Sequence, residues 1–140
     1  MKLLLDTHIL LWAAADTLPG KAAELVASEQ NTLLFSTASI WEIVIKNGLG
    51  RSDFQIDVDA LYNGLLDNGY AEVFINSRHS IIIGNLPPVH KDPFDRILAA
   101  QAQYEDATLV ICDDILAKYP CSVICIKRSS IIQEEPKNYK

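Results

Sequence analysis

Cysteine is scarce in this sequence, and it is absent from most of the chain. The three cysteines, Cys112, Cys121 and Cys125, lie in an apolar C-terminal part. An odd number of cysteines does not suit a disulfide framework, and their spacing is not that of a zinc site. We therefore expect reduced thiols and a cytoplasmic location.

Long apolar runs and an excess of positive charge are also missing. The apolar residues 3–5 and 9–11 are interrupted by Asp6 and His8, so the N-terminus predicts neither an export signal nor a membrane span. The net charge is −6, whereas proteins that bind nucleic acids usually carry an excess of Lys and Arg. This balance disfavours a non-specific nucleic-acid groove, unless the acids hold divalent cations that reverse the local field.

The chain does contain enough apolar residues for one domain. It has 140 residues, of which 49% are hydrophobic, and a chain of this length can bury a core without disulfides or a structural metal. We expect a single domain over residues 1–127 and a polar C-terminal tail over residues 128–140.

Predicted strands and helices alternate along the sequence. Short apolar runs predict strands at residues 3–5, 32–35, 71–75, 108–112 and 122–126, and helical patterns lie between them. Ser39, with Glu42 at capping-box spacing, and Ser77 are the predicted caps of two helices. The strand runs are continuously apolar, which is typical of buried parallel strands. The pattern therefore predicts an α/β fold with a mostly parallel sheet covered by helices on both faces.

Residues 90–102 contain the clearest helix start in the chain. Pro93 suits the first helical position, and it favours an extended N-cap conformation for Asp92. Asp95 is then the third helical residue, on the same face as apolar residues that pack inward. Capping together with a favourable helix-dipole charge is one interpretation of these two acids. A chemical role for Asp95 is the other.

Four acids are predicted to meet at one edge of the sheet. In an open parallel sheet the C-terminal ends of strands and the N-termini of the following helices lie along the edge where ligands bind. Asp6 ends the first strand, Glu42 lies in the first turns of the helix after the second, Asp95 begins a helix, and Asp113 ends the fourth strand.

Each of these acids also has a structural interpretation. Asp6 suits a helix cap, Glu42 suits a capping box with Ser39 and an ion pair with Lys46, and Asp113 suits a turn. Gathered together, the acids need neutralisation, because two like charges about 4 Å apart cost about 4 kcal/mol at an effective dielectric of 20. Either some carboxyls are protonated or a divalent cation lies between them. Carboxylate ligands favour Mg²⁺ or Mn²⁺, which promote phosphodiester hydrolysis.

The same residues make the chain resemble a PIN-domain ribonuclease, particularly the toxin component of VapBC-type toxin–antitoxin systems. The matching motifs are Leu-Leu-Leu-Asp-Thr-His at residues 3–8, Ser-x-x-Ser-x-Trp-Glu-Ile with a following lysine at residues 36–46, His-x-Asp-Pro-Phe-Asp-Arg-Ile-Leu-Ala-Ala-Gln-Ala at residues 90–102, and Leu-Val-x-x-Asp at residues 109–113. The likeness extends from residue 1 to about residue 126.

This resemblance carries specific implications for fold, chemistry and partners. It implies a PIN-like three-layer α/β/α fold with a central sheet of four to five strands. It implies that Asp6, Glu42, Asp95 and Asp113 hold Mg²⁺ or Mn²⁺, and that a metal-activated water cleaves RNA to leave a 5′-phosphate and a 3′-hydroxyl. It also implies a homodimer that a cognate antitoxin protein inhibits, with no membrane association.

One position departs from the family pattern. Family members often have Thr or Ser two residues before the last acid, whereas this chain has Ile111. Asp114 is therefore an alternative to Asp113 for the fourth acid. The departure also supports the alternative hypothesis, a catalytically inactive PIN-like module that binds a protein partner.

Weaker candidates surround the acids. Ser36 and Ser39 suit hydrogen bonds to a phosphate or carboxylate, while Lys46, Arg51 and Arg96 suit contacts with the RNA backbone; capping and solvated surface are the alternatives.

Histidines and tryptophans near the motifs are assigned structural roles. We expect hydrogen bonds from His8 and His90, and core or interface positions for Trp12 and Trp41.

Overall fold

A computed structural model gives the fold of the chain. It describes residues 1–88, 91–112 and 119–126, so His90, Asp113, Asp114 and the predicted tail lie outside the described residues. The elements are β1 (Lys2–Leu5), α1 (Thr7–Ala14), α2 (Gly20–Ala27), β2 (Thr32–Ser36), α3 (Thr37–Asn47), α4 (Val58–Asp67), β3 (Ala71–Val73), α5 (Ser77–Ile83), α6 (Pro93–Tyr104), β4 (Thr108–Ile111) and β5 (Val123–Cys125).

The strands form one parallel sheet in the order β3-β2-β1-β4-β5. β1 is central, with Leu4 opposite Leu34 of β2 on one side and Leu109 of β4 on the other. Parallel neighbours need crossover connections, which explains why helices separate most of the strands in sequence. The predicted parallel α/β sheet is confirmed.

Each face of the sheet carries its own apolar layer. Successive strand residues point to opposite faces, so Leu3 and Leu5 belong to one layer and Leu4 to the other. Buried residues of α1, α2, α3 and α4 complete the first layer, and those of α6, with partly buried isoleucines of α5, complete the second. Each fully buried leucine contributes roughly 1.5–3 kcal/mol through removal from water. The result is the three-layer α/β/α arrangement.

The predicted start of α3 was wrong. The helix begins at Thr37, and its N-cap is Ser36, whose hydroxyl accepts a hydrogen bond from the Ala38 N–H. Ser36 is also the last residue of β2, so its extended backbone serves both elements and no loop separates them. Ser39 and Glu42 therefore lie inside the helix, three residues apart on one face.

The predicted cap of α5 was also wrong by one residue. Asn76, not Ser77, is the N-cap, and its side chain accepts from the His79 N–H at 3.1 Å. His79 Nδ1 accepts in return from the Asn76 N–H at 3.2 Å, which makes a capping box with histidine in place of the usual acidic or amide residue. This exchange of hydrogen bonds orders the start of a short helix.

The predicted start of α6 is confirmed. Asp92 is the N-cap and accepts from the Phe94 N–H at 2.9 Å, Pro93 is the first helical residue, and Asp95 lies in the first turn. Behind them, residues 97–102 are buried, and Leu98, Ala99, Ala100 and Ala102 belong to the second apolar layer. The helix therefore begins at the C-terminal edge of the strands and directs its first turn toward it.

Other expectations have mixed outcomes. Trp12 is in the core, as expected. Trp41 is outside the core: it is 57% exposed and contacts Phe94 edge to face, with ring centroids 5.2 Å apart, and an interface position for it stays a prediction. The three cysteines are free thiols. None of the helices within the described ranges is long and apolar enough to cross a bilayer.

Candidate acidic site at the sheet edge

Asp6 lies at the centre of the candidate site. It follows β1, the central strand, and its backbone N–H donates to the Val110 carbonyl of β4 at 3.0 Å. Its side chain caps α1 by accepting from the Ile9 N–H at 2.9 Å. The residue is only 4% exposed, so its capping interpretation is correct and its carboxyl is also withdrawn from water.

The environment of Asp6 favours the neutral carboxyl. Its pKa is raised from 3.8 to about 7, chiefly by burial and also by the charges of Asp95 and Glu42, while hydrogen bonds from the Ile9 and Cys112 backbone N–H groups act in the opposite direction. Two of the other predicted acids are therefore near enough to act on Asp6 electrostatically. The convergence expected from the parallel topology is present for these three residues.

Glu42 is held by two side chains from different directions. The Thr7 hydroxyl lies 2.7 Å from Oε1 and donates to it, because a carboxylate can only accept. Lys46, four residues along α3, lies 3.3 Å from Oε2. The predicted pair with Lys46 is confirmed. The Glu42 side chain is 13% exposed, so it lies at the boundary between the core and solvent.

Asp95 and Asp113 complete the predicted set. Asp95 is half-buried in the first turn of α6, and Asp113 lies outside the described residues. Within residues 1–88, 91–112 and 119–126, no three acids, histidines or cysteines are grouped closely enough to hold a metal ion. The acids described thus influence one another by charge without forming a complete three-ligand site. Their assignment as metal ligands stays a prediction.

The donors that are present fit a hard divalent cation in their chemistry. They are carboxylate oxygens, which Mg²⁺ and Mn²⁺ prefer. Asp6 is buried beside two further acids, and a carboxylate in such a place is stabilised by a nearby cation. The residues therefore fit a resident Mg²⁺ or Mn²⁺ ion.

The serines predicted to bind substrate are buried at the start of α3. Ser36 is 0% exposed and serves as the N-cap, and Ser39 is 1% exposed with its hydroxyl 2.9 Å from that of Thr7. Both are engaged in hydrogen bonds inside the protein. Their contact with substrate stays a prediction.

The cations predicted to contact RNA also have protein partners. Lys46 pairs with Glu42 and lies 5.9 Å from the centre of the Phe54 ring. Arg96 donates to the carbonyls of Ile83, at 3.0 Å, and Pro87, at 3.2 Å. Arg96 therefore ties α6 to the end of α5 and to the loop after it, and its contact with RNA stays a prediction.

Arg51 forms a surface ion pair with Asp53, with its guanidinium 2.7 Å from the carboxylate. This exposed pair lies in the connection between α3 and α4.

Thr7 is the residue of this site that the sequence analysis did not single out. It is 5% exposed and contacts both Ser39 and Glu42. The sequence contained two relevant features: a threonine directly after the strand-end acid, and two polar residues three positions apart on a later helix. Only the packing of α1 against α3 brings these two features together.

Solved structures with the same fold come from toxin–antitoxin complexes. A chain of VapBC2 from Rickettsia felis, bound to a DNA fragment from its promoter, has a TM-score of 0.69 and 20% identity over 91% of this chain and 100% of its own. A chain of DNA-bound VapBC from Salmonella typhimurium has a TM-score of 0.67 and 13% identity over 89% of this chain and 98% of its own. A chain of VapBC-1 from nontypeable Haemophilus influenzae has a TM-score of 0.61 and 18% identity, with the same two coverages. At such identities the likeness shows the fold.

Sequence comparisons give the family. No significant match was found among curated protein sequences. The family model described as PIN domain matches residues 3–120, which is most of the chain and includes Asp6, Glu42 and Asp95. The expected fold and the family resemblance are confirmed, and the chain belongs to the PIN domain family.

Proposed function

We propose that this protein is an endoribonuclease toxin that uses Mg²⁺ or Mn²⁺ to hydrolyse RNA phosphodiester bonds, and that a cognate antitoxin inhibits it. PIN domains are in general nucleases, and this chain belongs to that family. The observation that carries the proposal is the buried Asp6, on which the charges of Asp95 and Glu42 both act. A purely structural cap does not need two further acids beside it.

Each acid has a proposed role. Asp6, Glu42, Asp95 and Asp113 are the proposed ligands of the cation, with Asp114 as the substitute for Asp113. When bound, such an ion lowers the pKa of a coordinated water and stabilises charge on phosphoryl oxygens. Asp6 would give up its proton on binding the cation, since its pKa of about 7 leaves much of it neutral in the metal-free protein at neutral pH. Thr7 and Lys46 hold Glu42 in place.

The proposed partners are an antitoxin protein and a second copy of the chain. The structures described above are VapBC complexes, and their fold extends over about nine-tenths of this chain. This likeness supports a protein partner that covers the toxin when RNA cleavage is not required. The homodimer is proposed from the same resemblance.

The test is cleavage of RNA by purified protein freed of any antitoxin. We expect cleavage with Mg²⁺ or Mn²⁺, none in chelator, and loss of cleavage in Asp95→Asn at unchanged folding. Products should carry a 5′-phosphate and a 3′-hydroxyl. Cleavage that persists in chelator, or undiminished cleavage by Asp95→Asn, would contradict the proposal.

A catalytically inactive binding module is the second candidate. It is favoured by Ile111, two positions before the last predicted acid in the sequence, which is an apolar residue without a hydroxyl and is fully buried in the second apolar layer. Under this hypothesis a folded, antitoxin-free protein cleaves none of a broad panel of RNAs at any divalent-ion concentration, while a partner protein still binds it.

A further inference from the structure

The Thr7 side chain points away from its own helix and toward α3. Thr7 is the first residue of α1 and directly follows Asp6. Its hydroxyl lies 2.7 Å from Glu42 Oε1 and 2.9 Å from Ser39 Oγ. Thr7 is therefore the residue through which the strand-end acid and the glutamate of α3 are connected.

The hydrogen-bonding capacities of these groups assign the direction of each bond. A threonine hydroxyl has one proton, and the Glu42 carboxylate can only accept, so Thr7 donates to Glu42. The Ser39 hydroxyl can then donate to Thr7. Ser39 is 1% exposed and Thr7 5% exposed, and a buried hydroxyl without a partner would cost roughly 1–3 kcal/mol. The arrangement thus satisfies buried groups and fixes one glutamate oxygen.

Buried isoleucines anchor the two helices that carry Thr7 and Glu42, and Lys46 adds a second contact to the carboxylate. Ile9 and Ile43 are fully buried in the same apolar layer, and Lys46 holds the other carboxylate oxygen at 3.3 Å. The Thr7 hydroxyl on one oxygen and the Lys46 ammonium on the other define the orientation of the carboxylate.

We propose that Thr7 is a positioning residue for Glu42, whose hydroxyl holds the carboxylate toward Asp6 for cation binding and RNA cleavage. This inference rests on the proposed function, because it assigns Glu42 to the cation site. Thr7 itself does not touch the cation or the RNA. It acts through Glu42, in the way that groups bonded to metal ligands orient those ligands.

The test compares variants that remove or keep the hydroxyl. Thr7→Val removes it at nearly constant volume, Thr7→Ser keeps it, and Glu42→Gln is the reference for loss of the carboxylate. Thr37→Val is the matched control, because Thr37, the first residue of α3, donates to Glu72 at 2.6 Å in a threonine-to-glutamate bond that does not involve Glu42. Each variant is checked for folding by thermal unfolding, and Thr7→Ala replaces Thr7→Val if the valine variant does not fold.

Two measurements are made on each variant. The first is the affinity for Mn²⁺ alone, followed by the electron paramagnetic resonance signal of the free ion, which requires no RNA and no turnover. The second is kcat and KM for RNA cleavage. We expect Thr7→Val to weaken Mn²⁺ binding and lower kcat by about 10–100-fold with KM unchanged, which is the size typical of groups that orient metal ligands. Thr7→Ser and Thr37→Val should stay within about threefold of the parent protein.

The outcomes separate this inference from the function on which it rests. If Glu42→Gln loses Mn²⁺ binding but Thr7→Val behaves like Thr37→Val, Thr7 does not position Glu42 and the proposed function stands. An equal loss in Thr7→Ser and Thr7→Val also overturns the inference, because the hydroxyl then has no special role. If Glu42→Gln leaves Mn²⁺ binding and cleavage unchanged, the assignment of Glu42 fails and the role of Thr7 fails with it.

Discussion

At the scale of single residues, Asp6 combines two roles that conflict in the metal-free protein. As an N-cap it must accept the Ile9 N–H, which favours a charged carboxylate. Its burial and the charges of Asp95 and Glu42 favour the neutral acid, and together they raise its pKa to about 7. A buried negative charge on Asp6 is therefore unfavourable. This is the reason for assigning Asp6 to a cation site, because a bound cation would offset that unfavourable free energy.

The raised pKa predicts how stability depends on pH without metal. Between pH 3.8 and about 7 the folded protein keeps a proton on Asp6 that the unfolded chain has lost, so this residue makes the protein less stable as pH rises through that range. The full effect is at most roughly 4 kcal/mol. Asp6→Asn keeps an acceptor for the Ile9 N–H and cannot ionise. In chelator, the variant should therefore match the parent protein near pH 4 and be more stable above pH 7.

Urea unfolding at a series of pH values measures this difference directly. The comparison with Asp6→Asn cancels the titration of other groups, which both proteins share. A variant that is less stable than the parent protein at pH 8 in chelator would contradict the unfavourable charge of Asp6.

At the scale of elements, the start of α6 separates two aspartates that look equivalent in the sequence. Asp92 accepts from the Phe94 N–H and ends the preceding loop. Asp95, three residues later, lies within reach of the charge on Asp6. Helix geometry gives one of them a local bond and directs the other toward the sheet edge.

Substitutions at these two positions should therefore have opposite consequences. Asp92→Ala removes the cap and should lower the free energy of unfolding by about 1 kcal/mol, whereas Asp92→Asn keeps it. Per folded molecule, both should cleave RNA like the parent protein. Asp95→Asn should lose cleavage with a small effect on stability in chelator. Urea unfolding and RNA cleavage are measured on the same preparation of each variant. An active Asp95→Asn, or a folded but inactive Asp92→Asn, would contradict the roles assigned to the two aspartates.

At the scale of the whole molecule, the parallel sheet gathers parts of the chain that are far apart in sequence. Asp6 follows β1, Glu42 is on α3 after β2, and Asp95 begins the helix before β4. The order β3-β2-β1-β4-β5 places β1 between β2 and β4. Their C-terminal edge therefore presents acids from three crossover units, while each face of the sheet is sealed by its own apolar layer.

A cation that bridges these units should stabilise the whole fold. Ligand binding to the folded state adds about 2.7 kcal/mol at a concentration 100 times the dissociation constant. We expect Mn²⁺ at pH 8 to raise the unfolding temperature of the parent protein and to do so much less in Asp95→Asn. The rise should shrink at pH 5, where Asp6 holds its proton in the metal-free protein. An equal rise in both proteins, measured by calorimetry, would show that the ion binds elsewhere.

The sequence alone determined the elements, because apolar periodicity and proline record local structure. The five apolar runs became the five strands, and Asp92-Pro93 correctly predicted where α6 begins. Parallel pairing then predicted that Asp6, Glu42 and Asp95 approach one edge. Helix starts were less certain, since Ser36 and Asn76 are caps only because β2 ends at Ser36 and the backbone is extended at Asn76.

Tertiary structure alone decided what surrounds the acids. The burial of Asp6 and the bond from Thr7 to Glu42, which spans 35 positions of sequence, both depend on how α1 packs against α3. Packing also left Trp41 at the surface although its neighbours in sequence are apolar. Local propensity acts over a few residues, whereas desolvation and charge act between whichever groups the fold brings together. For that reason the acids could be identified from the sequence. The protonation of Asp6 and the orientation of Glu42 depend instead on how the helices pack around them.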